Sequence, residues 1–301
     1  MSDFITQFFN GLSLSSILLL VALGLAVIFG LMGVINMAHG ELMMVGGYTT
    51  YVVQQSFANL SGWWPQSYFL FAIPAAFIVT GFVGFLLEKS IIRFLYARPL
   101  ESLLATWGLS LILQQAFRNI FGANNVDVVS PNWLDGGVTL GGGIELPYKR
   151  LLIIALAIVV VGATYLFLMR TKWGLRIRAV TQNRAMSSCL GVATQNVDAY
   201  TFALGAGLAG IAGCALTLLG SVGPTTGQSY IVDAFMVVVL GGVGKLLGVV
   251  AGGLAIGELR TCYEWFTTSS MGTVLVFTTV IAFLQFRPSG IFPQKGRTAD
   301  S

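Results

Sequence analysis

The stretch Asn36-Met-Ala-His-Gly-Glu-Leu-Met-Met44 holds the chain's single histidine, His39, and its first acidic residue after Asp3, Glu41. A histidine and a carboxylate this close suggest acid–base catalysis or a metal. On a helix, residues two apart point to nearly opposite faces, so a shared metal or a proton-relay pair is not expected. No catalytic residue and no metal ligand is assigned. Cys189, Cys214 and Cys262 are scattered without CxxC spacing and read as ordinary small residues. Gly241-Gly-Val-Gly-Lys-Leu246 looks faintly like a phosphate-cradling loop. The GxxxxGK[ST] pattern would need glycine at Val239 and a hydroxyl residue at Leu246, so no nucleotide site is expected.

Uncharged polar stripes offer a different chemistry. Thr106, Ser110 and Gln114 recur at intervals of four, which places them on one helix face. Gly47, Thr50 and Gln54 form a similar line, with Asn36 and Gly40 further down. Polar side chains at such depths are interhelical hydrogen-bond partners or the lining of a passage. Both readings stay open. As a passage, the set Asn36, His39, Glu41, Thr50, Gln54, Thr106, Ser110 and Gln114 suits a small neutral polar solute. Asn36 is the expected N-cap of the helix that follows a Gly30–Gly33 turn. His39 has two roles open to it, structural hydrogen bonding or an inner gate.

The elements that carry these residues are apolar. Of 301 residues, 55% are hydrophobic and only 9% charged, with a mean hydropathy of +0.82. Soluble domains carry about 25% charged residues. Phe4–Gly40 and Leu42–Leu87 contain no formal charge, and a crossing takes roughly 20 apolar residues, so each run has room for about two. The fold class is therefore an all-α polytopic membrane protein in one domain spanning 1–301, with about eight or nine transmembrane helices. The expected segments are Phe8–Ile28, Ile35–Gln55, Tyr68–Leu87, Leu103–Phe117, Leu151–Met169, Tyr200–Leu219, Ala234–Gly242, Leu246–Gly257 and Ser270–Phe286. Ala234–Gly257 either crosses twice around Lys245 or is broken and re-entrant. Leu134–Gly143 reads as a turn-rich loop. Asp3 stands where a signal peptide would be basic, which argues against a cleaved leader.

Basic residues set the orientation. Lys89, Arg93, Arg98, Arg170, Lys172, Arg176, Arg178, Arg184, Arg287, Lys295 and Arg297 fall in connections that would share the cytoplasmic side. Asp3, Asp127, Asp135, Glu145 and Asp233 fall on the other, which puts the N-terminus outside and the C-terminus inside. The sequence pI near 9.0 thus reflects membrane topology, and no nucleic acid is implied.

Glycines recur at helical spacing. Gly244, Gly248 and Gly252, and Gly205, Ala209 and Gly213, repeat every fourth residue, the pattern that lets helix backbones approach closely in lipid. The most basic connection, about 170–198, contains a short helix over Arg184–Leu190 stopped by Gly191.

The stretches "GLMGVINMAHGELMMVGGYTTYVVQ", "RPLESLLATWGLSLILQQ", "GLRIRAVTQNRAMSSCLGV" and "YIVDAFMVVVLGGVG" resemble the permease subunits of branched-chain amino acid ABC transporters, and within them the B-type permease of bacterial urea importers. The resemblance implies an inner-membrane heterodimer with a second permease, two cytoplasmic ATPase subunits that hold ATP and magnesium, and a periplasmic solute-binding protein. It implies a coupling contact with an ATPase through Arg176, Arg178, Gln182, Asn183, Arg184, Ala185 and Gly191. The family's Glu-Ala-Ala-x-x-x-Gly frame is kept at Ala185 and Gly191 and departs at Arg184 and Met186. It further implies urea import by alternating access, with no cofactor on this chain. Branched-chain amino acids are the alternative solute, and a passive urea or amide channel the alternative class.

Overall fold

A computed structural model describes residues 2–59, 63–96, 98–140 and 144–292; Lys295, Arg297 and Gly141–Gly143 lie outside them. The chain runs α1 (Ser2–Met32), α2 (His39–Ala58), α3 (Trp64–Ser90), α4 (Pro99–Phe121), a hairpin of β1 (Gly137–Leu140) and β2 (Ile144–Pro147), and α5 (Tyr148–Arg170). It continues through α6 (Lys172–Gln182), α7 (Arg184–Cys189), α8 (Thr194–Leu216), α9 (Thr226–Gly241), α10 (Leu246–Phe266) and α11 (Ser269–Phe286). Helix starts follow local chemistry. Pro65 and Pro99 sit in the first turns of α3 and α4, where a missing N–H costs nothing. Thr171 Oγ1 accepts from Gly174 N–H to cap α6, and Asn183 Oδ1 accepts from Met186 N–H to cap α7.

Six helices, α1, α3, α5, α8, α10 and α11, are long and apolar enough to cross a bilayer. The other three expected segments fall short for two different reasons. α2 and α4 have the length and carry the polar residues. α9 has only 16 residues, about 24 Å of helix.

α1 and α8 are buried on nearly all sides and form the centre, with α5 and α11 peripheral. Close approach of backbones makes this possible. A Cβ on Gly205 would reach Gly24 O of α1 at 2.7 Å, and one on Gly213 would overlap Met43 O of α2. The two α8 glycines thus serve different neighbours, and α8 is wedged between α1 and α2. Gly248 and Gly252 seat α10 on α9 through Gly241 and Val237. Gly244 is not helical. With φ +83° it belongs to the α9–α10 turn, where its backbone meets Gly30.

Several expectations are corrected. α1 continues through Gly30 to Met32, and the left-handed residue that ends it is Gly33, φ +69°. α9 and α10 are two unbroken helices, longer than the apolar runs because polar ends extend them. The turn-rich loop includes an antiparallel β1–β2 hairpin pairing Gly137 with Pro147. Asp233 lies inside α9, where it accepts from Arg260 Nη1 of α10 at 2.9 Å.

Candidate functional site: a buried polar seam between α2 and α4

Residues 33–38 break the chain between α1 and α2, and the break leaves backbone groups in need of partners. α4 supplies them. Ser102 Oγ donates to Ile35 O at 3.2 Å, and Thr106 Oγ1 accepts from Met37 N–H at 3.1 Å while donating to its own Ser102 O. One turn on, Glu41 Oε1 accepts from Ser110 Oγ at 3.0 Å and from Gln114 Nε2 at 2.7 Å. The stripe Ser102, Thr106, Ser110 and Gln114 is buried along its whole length. Opposite it α4 turns Leu104, Trp107, Leu111 and Ile112 outward. α4 is therefore inverted relative to a soluble amphipathic helix, with polar residues in and apolar residues out.

Glu41 is 1% exposed, and its Oε2 has no partner among the described residues. No described Lys or Arg is buried, so the carboxylate is held by neutral donors alone. On its other side the seam meets an aromatic group in which Tyr48 lies 5.0 Å from Phe117 and 4.6 Å from Phe121. Chemically, this is a dry acceptor flanked by an amide and a hydroxyl, suited to hold N–H donors.

His39 lies on the opposite face of α2. Its Nε2 is 3.1 Å from Val21 O of α1, and Nδ1 has no partner among the described residues. His39 and Glu41 thus serve different helix contacts. Asn36 does not cap α2, whose N-cap is Ala38; its Oδ1 accepts from Ala38 N–H at 3.0 Å and shapes the break instead. We expect Asn36→Ala to cost about 0.5–2 kcal/mol, the loss of a cap-type bond, and so to lower the thermal-unfolding midpoint, with Asn36→Ser, which keeps a side-chain acceptor, losing less. Thr50 and Gln54 do not join the seam. Thr50 Oγ1 donates to Gly46 O on the face toward Cys214 of α8, and Gln54 Nε2 donates to Val129 O in the loop after α4. The face of α2 toward α4 is Glu41–Tyr48, seven residues apart and so two turns along one side. Ser102, missed earlier, extends the same spacing of four by one step.

The basic connection holds the expected short helix as α7, Arg184–Cys189, with α6 before it. Gly191, φ +81°, ends α7 with Val192 N–H donating to Ser187 O and Gly191 N–H to Ser188 O, the paired bonds of a left-handed helix stop. Gln182, Asn183, Ala185 and Gly191 are exposed, as are Met186 and Leu190. Arg176 lies over the Trp173 ring at 5.2 Å, and Arg178 Nε donates to Gly174 O at 3.4 Å. Arg184 turns inward. Its Nη2 pairs with buried Asp198 Oδ2 of α8 at 2.6 Å, and its guanidinium lies 5.0 Å from the Tyr96 ring. Tyr96 Oη donates in turn to Glu88 Oε1 of α3 at 3.0 Å. One network therefore joins α7, α8, α3 and the segment leading into α4.

A multi-pass helical bundle with a dry polar seam and a folded basic connection has the make-up of a membrane permease. A family model described as the permease component of the branched-chain amino acid transport system matches residues 7–284, and the chain belongs to that family. It is 30% identical over 294 residues to the high-affinity branched-chain amino acid transport system permease protein BraD of Pseudomonas aeruginosa, covering 96% of this chain and 95% of the relative. It is 28% identical over 306 residues to the corresponding LivH protein of Escherichia coli, with the same coverages. A shorter likeness, 32% over 124 residues and 39% of this chain, is to the ribose import permease protein RbsC of Bacillus subtilis. No solved structure matches the chain.

Proposed function

We propose that the chain is the permease subunit of an ATP-binding-cassette importer that passes a small nitrogen-bearing solute across the bacterial inner membrane by alternating access. ATP and magnesium would sit on two separate ATPase subunits, a second permease would complete the conduit, and a periplasmic binding protein would deliver the solute. Nine passes, with the N-terminus outside, would bring the connections that hold Lys89, Arg93, Arg98, Arg170 and Arg176 to the cytoplasmic side. The exposed face of α7, with Met186 and Leu190, suits docking on an ATPase subunit.

The observation that carries the solute reading is the unpartnered Oε2 of Glu41. A buried carboxylate is costly unless a cation or further donors meet it. The ammonium group of a branched-chain amino acid does so, and relatives matched end to end are named for transport of those amino acids. This departs from the expectation that the set holding Glu41 suits a small neutral polar solute. Urea is the second reading, favoured because no Lys or Arg among the described residues is buried beside Glu41 to receive a solute carboxylate. Its N–H groups fit the free Oε2 of Glu41, while Ser110 and Gln114 stay committed to Oε1.

Uptake of labelled leucine and labelled urea into vesicles holding the whole complex, with and without ATP, tests the proposal. ATP-driven accumulation of either supports an importer and names its solute. Downhill entry of urea independent of ATP would mean a passive channel. Arg184→Glu sets a second carboxylate against Asp198 and severs α7 from α8. We expect the assembled complex to hydrolyse ATP while uptake falls at least about tenfold, and Arg184→Lys to recover part of it.

A further inference from the structure

A second space, lined by polar and apolar residues and by none of the seam residues, lies where the start of α1 meets the start of α5 and the end of α10. It encloses about 270 Å³ and is lined by Asn10, Ser13, Leu14, Arg150, Leu219 and Glu264 among others. That is near the small end of pockets that hold metabolites, roughly 300–1,000 Å³. Ser13 is only 2% exposed and its hydroxyl has no partner among the described residues. Arg150 Nη1 donates to Asn10 Oδ1, and no carboxylate among the described residues pairs with Arg150. Glu264 Oε1 accepts from Arg260 Nε at 3.1 Å and from Ser269 Oγ at 3.0 Å, and among the described residues no donor meets its Oε2. A cation, a free carboxylate oxygen and a dry hydroxyl thus line one space beside two leucines.

We propose that this cavity is a receiving subsite for a small head group that carries a C–O acceptor beside N–H donors. The C–O oxygen meets Arg150, the N–H groups meet Glu264 Oε2 and Ser13 Oγ, and Leu14 and Leu219 take any apolar remainder. A guanidinium recognises such an oxygen through paired donors, and a buried hydroxyl without a partner gains most from one. The pairing of opposite charges that the Glu41 seam lacks is present here. The proposal rests on the reading of the chain as a permease for a nitrogen-bearing solute. Amino acids and urea share this head-group chemistry, and the two probes below separate them.

The test is equilibrium binding of labelled leucine and of labelled urea to the full-length permease, assembled with its partner permease and ATPases in lipid nanodiscs, without nucleotide or binding protein. One probe is expected to bind, and Arg150→Gln and Ser13→Val each to weaken it at least about tenfold with unfolding midpoints unchanged. Arg150→Lys is expected to recover part of the loss. If Arg150→Gln does not fold, Ser13→Val alone decides. Binding by both variants at the wild-type level, or no binding of either probe to wild type, overturns the subsite. ATP-driven uptake by the same wild-type complex reads the function separately. Arg150-dependent binding without uptake keeps the cavity and rejects the importer, while uptake with binding indifferent to Arg150 and Ser13 does the reverse.

Discussion

Glu41→Gln is expected to lower ATP-driven uptake at least about tenfold while the complex still assembles. The substitution keeps size and shape, so Ser110 and Gln114 stay packed and the α2–α4 contact survives. What it removes is the charge at Oε2, and in its place it puts an amide that donates where the solute must also donate. Hydrogen bonds to charged groups are worth about 1.5–3 kcal/mol in a dry site, enough for a tenfold change or more. Glu41→Asp keeps the charge but draws it back by one methylene, and it should fall between the two. Full uptake by Glu41→Gln would remove the seam from the path and leave it as glue between two helices.

Gly213→Leu is expected to prevent recovery of a folded permease. A Cβ at this position would overlap the main-chain oxygen of Met43 and stand 2.9 Å from Gly47 N, so α2 and α8 would have to separate. Backbone cannot rotate out of the way as a side chain can. The cost is therefore at or beyond the upper end of the roughly 1–3 kcal/mol typical of overpacking. Gly162→Leu in α5 provides the contrast, since a Cβ there meets nothing within 4 Å. Size-exclusion profiles and thermal unfolding in mild detergent check both. A monodisperse Gly213→Leu protein with a wild-type midpoint would refute the close α2–α8 contact.

How much of this was legible in the sequence depends on what each pattern reports. Apolar runs report solvent, so the long helices stood out. They do not report length where polar residues extend a helix, which is why α9 and α10 were read too short. The spacing of four placed Thr106, Ser110 and Gln114 together because helical periodicity is local. It could not say which face of α2 they meet, since Gly47–Thr50–Gln54 is as regular a line as Glu41–Tyr48. Only packing against α8 decides that, and it turns Thr50 toward Cys214. The opposed directions of His39 and Glu41 followed from helix geometry, but their partners, Val21 on α1 and Ser110 and Gln114 on α4, are far apart in sequence. The Arg184–Asp198 pair escaped notice for a related reason. The helix from Arg184 and its stop at Gly191 follow from local sequence, but the packing that brings Arg184 over Asp198 of α8 does not.

The central claim is that solute passes along the α2–α4 seam as ATP drives the permease between states. A cysteine at Ser110 tests it most directly, in a protein whose exposed Cys189 and Cys262 are replaced by serine. The rate of modification by a small methanethiosulfonate reagent would be measured on the whole complex, with and without ATP, and with and without saturating leucine or urea. The account predicts a rate that changes several-fold with ATP and is slowed by the transported solute. A cysteine that is never modified, or is modified at one rate whatever the nucleotide and solute, would contradict it.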